Sequence, residues 1–114
     1  MKWGEAASVF AAYGAWRATG SARAGVVLSA ALGSSDETNR TAAGILLLRG
    51  GEKALPLLRA NLQRGTAVPM TLRLLGDIGG HAARATIEPY TQSADPAIAR
   101  AARDALAAAD AAAR

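Results

Sequence analysis

One short pattern occurs twice in this chain, and it restricts the possible folds more than any other feature. The two copies are DETNRTAA at 36–43 and DPAIARAA at 95–102. Each copy begins with an aspartate, which favours a helix N-terminus because its carboxylate meets the positive end of the helix dipole. A basic residue follows about a turn later, and then small residues that allow another helix to approach closely. The repetition predicts two equivalent helices in a repeated arrangement.

A second recurrence, with a shorter spacing, supports a repeat of helix pairs. Gly50-Gly51 recurs as Gly79-Gly80, and Ala54 and Leu58 recur at the same spacing as Ala83 and Ile87. A fixed period of about 30 residues is typical of a solenoid, in which each helix pair completes its core by packing on its neighbours. The segment LGDIGG at 75–80 fits such a repeat, because it predicts a helix end, a tight turn and a new helix.

These residues together resemble the HEAT-like repeat family of short helix pairs, over roughly residues 30–108. The resemblance implies an all-α fold, a right-handed α–α superhelix of about seven helices in three pairs plus a terminal helix. It also implies a scaffold rather than a catalyst. The middle repeat departs from the family pattern, because GTA at 65–67 replaces the aspartate start and Val68-Pro69 replaces a valine-arginine pair. The tetratricopeptide alternative expects about 34 residues per repeat and large aromatic positions, which are missing here.

Composition supports the helical prediction and sets the expected boundaries. Hydrophobic residues make up 51% of the chain, and alanine, the best helix former, is the largest part of them. The expected helices cover 3–18, 21–32, 36–49, 52–64, 66–78 and 81–91, and a last one runs from 95 through 106. Ala42, Ile45, Leu46 and Leu48 are expected to form the apolar face of the third helix. We expect one domain over 1–114, with an aromatic helical cap at 1–33, repeats at 34–108 and a frayed tail at 109–114.

Several classes of function are disfavoured by what the chain lacks. It has no cysteine, which removes disulfides, thiolate nucleophiles and cysteine-based zinc sites. His81 is the only histidine and has no set of further ligands at helical spacing, and the Gly79-Gly80 turn lacks the Lys-Ser/Thr of a phosphate-binding loop. We therefore expect no metal, no cofactor and no enzymatic activity. Because no apolar stretch reaches the roughly 18 residues of a spanning helix, we also expect a cytoplasmic protein without stable membrane insertion.

Four of the five aromatic residues lie on the first expected helix, and they are Trp3, Phe10, Tyr13 and Trp16. One interpretation is that this broad face packs on the second helix as a cap for the repeats. The other is that part of it, Trp3 and Trp16 especially, is an exposed docking surface, since tryptophan and tyrosine are common binding anchors. The sequence leaves both interpretations open.

The resemblance also implies a partner-binding concave face, formed by the second helix of each pair. At the matching positions of this chain that face would present Lys53, Arg59, His81, Arg84 and Glu88. Arg59 and Glu88 occupy equivalent positions one repeat apart, so they are candidates for an ion pair. Neither residue has a role that the sequence alone assigns.

The predicted function is a non-catalytic protein–protein interaction scaffold or adaptor, such as a small subunit of a larger complex. Its partner would be another protein, or a second copy of the chain, bound at the concave face, the aromatic helix or both. The alternative is nucleic-acid or polyanion binding by the Arg-bearing concave face. The net charge of the chain is +4. Its 11 Arg and 2 Lys residues are scattered from Lys2 to Arg114, which favours a solvated surface over a focused basic patch. An accessory role in an enzyme system, and a first helix pair that docks on membrane helices, are further alternatives.

Overall fold

The structure, a computed structural model, describes the backbone of residues 3–112 and the side chains of residues 7–111. This part of the chain is helical, with no strand, which confirms the all-α prediction. The α-helices are α1 (Trp3–Thr19), α2 (Ala22–Ala30), α3 (Glu37–Gly50), α4 (Leu55–Arg64), α5 (Val68–Ile78), α6 (Gly80–Ile87) and α7 (Pro96–Ala112). Three short 3-10 segments accompany them, at Ala31–Gly33, Gly51–Ala54 and Glu88–Gln92. The HEAT-like superhelix itself stays a prediction.

The chain divides into two compact units, one ending at Gly50 and the other beginning at Gly51. The first unit contains α1, α2 and α3, and the second contains α4 to α7. The sequence predicts a single domain in which a cap at 1–33 precedes the repeats. In the structure α3 packs against α1 and against the Ala31–Gly33 segment, so α3 belongs with the N-terminal helices.

The first unit has a small core at the meeting of its three helices. Its largest contributors are Trp16 from α1, Leu28 from α2, Leu32 and, from α3, Leu46 and Leu47. The expected apolar face of α3 is partly wrong. Leu46 is buried as predicted, but Leu48 is 40% exposed and Ile45 is 55% exposed. The physical reason is that residues 42–48 are all apolar or glycine, so their periodicity does not determine which side faces the core.

The second unit buries the positions of the shorter recurrence. Ala54 just before α4, Leu58 within α4, and Ala83 and Ile87 of α6 all have exposures of 0%. The sequence period is therefore matched by a period in burial. The tail expected to fray is helical as far as Ala112, with Ala109 buried, while residues 113–114 lie outside the described part.

The tightest helix packing in the second unit is between α5 and α7. A Cβ atom added to Gly76 would lie 2.6 Å from the carbonyl oxygen and 2.8 Å from the Cα of Ala105. Facing Gly76, α7 buries only alanines, including Ala102 and Ala105. The two backbones are in contact at this point because neither helix places a large side chain between them.

The repeated pattern forms the same local structure twice. The Asp36 carboxylate accepts from the Thr38 N–H at 2.8 Å, and the Asp95 carboxylate accepts from the Ala97 N–H at 2.9 Å. A serine two residues before each aspartate accepts from its backbone N–H, at 3.1 Å for Ser34 and 3.2 Å for Ser93. Each motif follows a 3-10 segment and begins a helix with a side-chain cap. The two copies therefore start their helices with the same set of cap hydrogen bonds.

The basic residues of the two copies are not equivalent. The Arg40 guanidinium donates to the Ser34 carbonyl at 2.7 Å and so closes the first motif on itself. Arg100 lies one position later in its copy and is exposed, and the buried Ala99 occupies the position that corresponds to Arg40. The middle repeat, which lacks the aspartate, begins α5 without a side-chain cap at Ala67, whose φ is +47°.

Removing either aspartate should weaken the helix that it starts. We expect Asp36→Ala and Asp95→Ala each to lower the free energy of unfolding by about 1 kcal/mol, since the loss leaves helix N–H groups without their acceptor. Urea denaturation followed by far-UV circular dichroism measures the change. Asparagine keeps a side-chain oxygen acceptor, so Asp36→Asn and Asp95→Asn should lower the free energy of unfolding much less. Equal losses for Ala and Asn would contradict the hydrogen-bond explanation.

Candidate functional site

The structure separates the aromatic residues of α1 into buried and exposed members. Trp16 is 5% exposed and lies against Tyr13, with ring centroids 6.1 Å apart and planes tilted by 52°. Phe10, in contrast, is 57% exposed. Trp16 is therefore a core residue and not an exposed anchor, because α1 turns that side toward α2 and α3. The Trp3 side chain lies outside the described residues.

Phe10 borders a groove between α1 and α3 in the first unit. The groove has a volume of about 600 Å³, and from α3 it is lined by Glu37, Thr38, Thr41, Ala42, Ile45, Leu46 and Arg49. We call it the Phe10–Ile45 groove after its two most exposed apolar side chains, which are 57% and 55% exposed. Its surface is mainly apolar, so its chemistry suits apolar side chains of another molecule rather than a charged small ligand.

Large exposed apolar side chains are concentrated in the first unit. Within the part of the chain with described side chains they are Phe10, Val26, Val27, Ile45 and Leu48. Single exposed apolar residues are normal on a protein surface, whereas a cluster beside a groove marks a binding surface more often. Of these five, only Phe10 and Ile45 line the groove.

A charge stands at each end of the α3 side of the groove. Glu37 is in the first turn of α3, and Arg49 is in its last turn. Arg49 follows Glu37 by 12 residues, which corresponds to about 18 Å along a helix axis. Among the described residues, neither side chain takes part in a hydrogen bond or an ion pair. Both charges are thus available to another molecule.

The residues expected on a concave face lie in the second unit and are exposed, but the two arginines have other partners. Arg59 Nε donates to Thr86 Oγ1 at 3.1 Å, which joins α4 to α6, and it makes no ion pair with Glu88 among the described residues. The Arg84 guanidinium forms an ion pair with Asp110 of α7. Because both partners are about half exposed, this pair contributes roughly 0–1 kcal/mol. Lys53, His81 and Glu88 are exposed to solvent.

One signal for the groove is present in the sequence, although the apolar-face prediction for α3 overlooks it. On α3, Thr41, Ile45 and Arg49 are each four residues apart and share one face. The polar residue on either side of Ile45 indicates that this face is solvated. An apolar residue within a polar stripe is a candidate contact residue, and this feature places Ile45 on the surface where the structure has it.

The described residues show few features of other functional classes. Across the side chains described, no three His, Cys, Asp or Glu residues are grouped closely enough to hold a metal ion. None of the described helices combines the length and apolar character that are needed to cross a bilayer. A second, mainly apolar groove of about 610 Å³ lies between α5 and α7. None of the described large exposed apolar side chains lines it, whereas Phe10 and Ile45 line the groove of the first unit.

No protein-family model, curated protein or solved structure matched this chain when it was compared with each of them. The HEAT-like assignment therefore stays a prediction from the sequence patterns alone: the repeated residues at 36–43 and 95–102, the segment at 75–80 and the 29-residue recurrence. The fold and the site define the described part as an all-α protein with an exposed apolar groove on its N-terminal unit.

Proposed function

We propose that this protein is a non-catalytic interaction scaffold that binds a protein partner through the Phe10–Ile45 groove. The observation that carries the proposal is the exposure of Phe10 and Ile45, both more than half accessible, on the two sides of one groove. Apolar surface removed from water on binding contributes about 25 cal/mol per Å². Aromatic side chains at the centre of an interface commonly dominate its binding free energy.

This proposal keeps the first helix as the binding element, as in the docking-surface interpretation of the sequence, but it changes the aromatic residue that a partner contacts. The first helix remains the proposed binding element, but Phe10 replaces Trp16 as the aromatic that a partner can reach. Ile45 from α3 supplies the second contact. The charged surface of α4 and α6 is not required for this mode of binding.

The polyanion alternative receives less support from the structure. Asp110 places a negative charge against Arg84, and Arg59 is held by Thr86. A phosphate would have to compete with Asp110 for Arg84. The electrostatic affinity for nucleic acid depends on how many unpaired Lys and Arg side chains contact phosphates, and it weakens steeply as the salt concentration rises.

Capture of the full-length tagged chain from its source cells, with and without nuclease, tests the proposal. We expect a stoichiometric protein that survives nuclease and is lost with the double variant Phe10→Ser, Ile45→Ser. The matched control is Val26→Ser, Val27→Ser, which removes two comparably exposed apolar side chains from α2 and should keep the partner. Circular dichroism checks that each variant is folded.

Three results would overturn the proposal. The first is a protein partner that the Phe10→Ser, Ile45→Ser variant retains at the wild-type level, and the second is the absence of any stoichiometric protein partner. The third is co-purifying material that disappears with nuclease and with Arg59→Glu, Arg84→Glu, which would support polyanion binding instead.

A further inference from the structure

We infer that the occupant of the Phe10–Ile45 groove is an amphipathic α-helix of the partner, which lies antiparallel to α3. The inference rests on the proposed function and adds the class and the direction of the ligand. It follows from the shape of the groove and from the two charges at its ends.

The shape of the groove suits a helix. One face of α3 forms most of its surface, and Phe10 of the packed helix α1 borders it on one side. The furrow beside two packed helices is the surface on which a third helix packs. The α3 side offers the small residues Thr38, Thr41 and Ala42 beside Ile45. These small side chains leave space beside Phe10 and Ile45, which large apolar side chains of the ligand can fill. A helix supplies them at i, i+3 or i+4, and i+7, the spacing used when helices dock in apolar grooves.

The length of the groove matches about three helical turns. The 12 residues from Glu37 to Arg49 span about 18 Å, and a helix of about 12 residues has this length. An isolated helix this short is only marginally stable in water, so the segment would become ordered mainly on binding.

The charges determine the direction. A ligand that complements Glu37 has a basic residue beside it, and a ligand that complements Arg49 has an acidic residue at that end. Within one helix, acidic side chains are favoured at the N-terminus and basic side chains at the C-terminus, because of the helix dipole. The N-terminus of the ligand therefore lies next to Arg49 and its C-terminus next to Glu37. This is antiparallel to α3, and it also sets the two helix dipoles in opposition.

The test uses a displayed library of amphipathic peptides about three helical turns long, the length of the groove. The peptides are selected on the full-length chain and counter-selected on Phe10→Ser, Ile45→Ser. The best peptide is then compared with its charge-swapped twin, in which the acidic and basic ends are exchanged. We expect the acid-first peptide to bind the wild-type chain roughly twofold to thirtyfold more tightly than the twin, the range for two exposed ion pairs.

The charge-reversed chain Glu37→Lys, Arg49→Glu separates this effect from the intrinsic preference of peptides for acidic helix starts. On that chain the ratio of the two affinities should invert or fall to about one. If the reversed chain is poorly folded by circular dichroism, Glu37→Gln, Arg49→Gln serves instead, and the ratio should fall.

Each other outcome identifies what has failed. Peptides that depend on Phe10 and Ile45 but show the same affinity ratio on native and charge-reversed chains overturn the antiparallel direction and leave the proposed function intact. Selection of proline-rich or extended peptides overturns the inference that the ligand is a helix. If no peptide depends on Phe10 and Ile45, both the helix and the groove function are wrong. If light scattering shows a dimer that Phe10→Ser, Ile45→Ser abolishes, the occupant is a second copy of this chain and the partner helix is wrong.

Discussion

Replacing Trp16 by alanine is expected to lower the free energy of unfolding of the first unit by about 3 to 5 kcal/mol. The indole is 5% exposed and is the largest side chain in a core otherwise made mainly of leucine, valine and alanine. Its removal leaves a cavity that so small a core cannot close, and it also removes the contact with Tyr13. A loss of this size is a large part of the total stability of a typical small domain.

Hydrogen exchange followed by mass spectrometry measures this effect, since it reports on each unit separately. We expect amides in residues 7–50 to lose protection in the Trp16→Ala chain. The matched control is Phe10→Ala on the same helix, which should change protection little because Phe10 is 57% exposed. A Trp16→Ala chain with unchanged protection and weakened partner binding would restore Trp16 as an exposed anchor.

Gly76→Ala is expected to lower the free energy of unfolding of the second unit by up to about 2 kcal/mol, because the usual cost of excess volume in a packed interior, about 1 to 3 kcal/mol, exceeds the gain in helix propensity. The added methyl group would lie 2.6 Å from a backbone oxygen of Ala105. Backbone atoms of a packed helix cannot rotate away as the end of a side chain can, so α5 and α7 must separate. The better helix propensity of alanine offsets only about 1 kcal/mol of this cost.

Gly14→Ala is the control for Gly76→Ala, because it changes the helix propensity without a steric clash. Gly14 lies inside α1, and a Cβ atom built there meets nothing within 4 Å. This variant should gain about 0.5 to 1 kcal/mol. Thermal denaturation of the two variants should therefore move the midpoint in opposite directions. A stabilised Gly76→Ala chain would show that α5 and α7 are farther apart than the structure has them.

The helices and their starts are predictable because the interactions that specify them are local. Asp36 and Asp95 bond to N–H groups two residues away, so their role is visible in a short stretch of sequence. The main errors are at prolines. The sequence predicts a sixth helix that runs to residue 91, but α6 ends at Ile87 and continues as a 3-10 segment that contains Pro89. Proline lacks the N–H that an α-helix needs and restricts the residue before it.

The site is predictable only in part because it depends on which helix faces meet. Phe10 and Trp16 are on the same helix, and their roles differ only because α1 buries one side. In α3 the apolar run at 42–48 contains no polar residue itself, and only the flanking Thr41 and Arg49 indicate its exposed side. Such a choice is made by tertiary packing, which overrides the local pattern. In the sequence, Glu37 and Arg49 are charges of the kind that the helix dipole favours at helix ends. Only the structure shows that a groove lies between them.

The alanine face of α7 has a consequence for how the sequence can diverge over evolution. Ala99, Ala102, Ala105 and Ala109 are buried, and close backbone approach at Gly76 leaves little space for larger substitutes near Ala105. The outer positions Arg100 and Arg103 are exposed and carry no such restriction. Sequence divergence would therefore change the charged residues of α7 and preserve the spacing of its buried alanines. Distant relatives would share that spacing more than any particular residue on the surface.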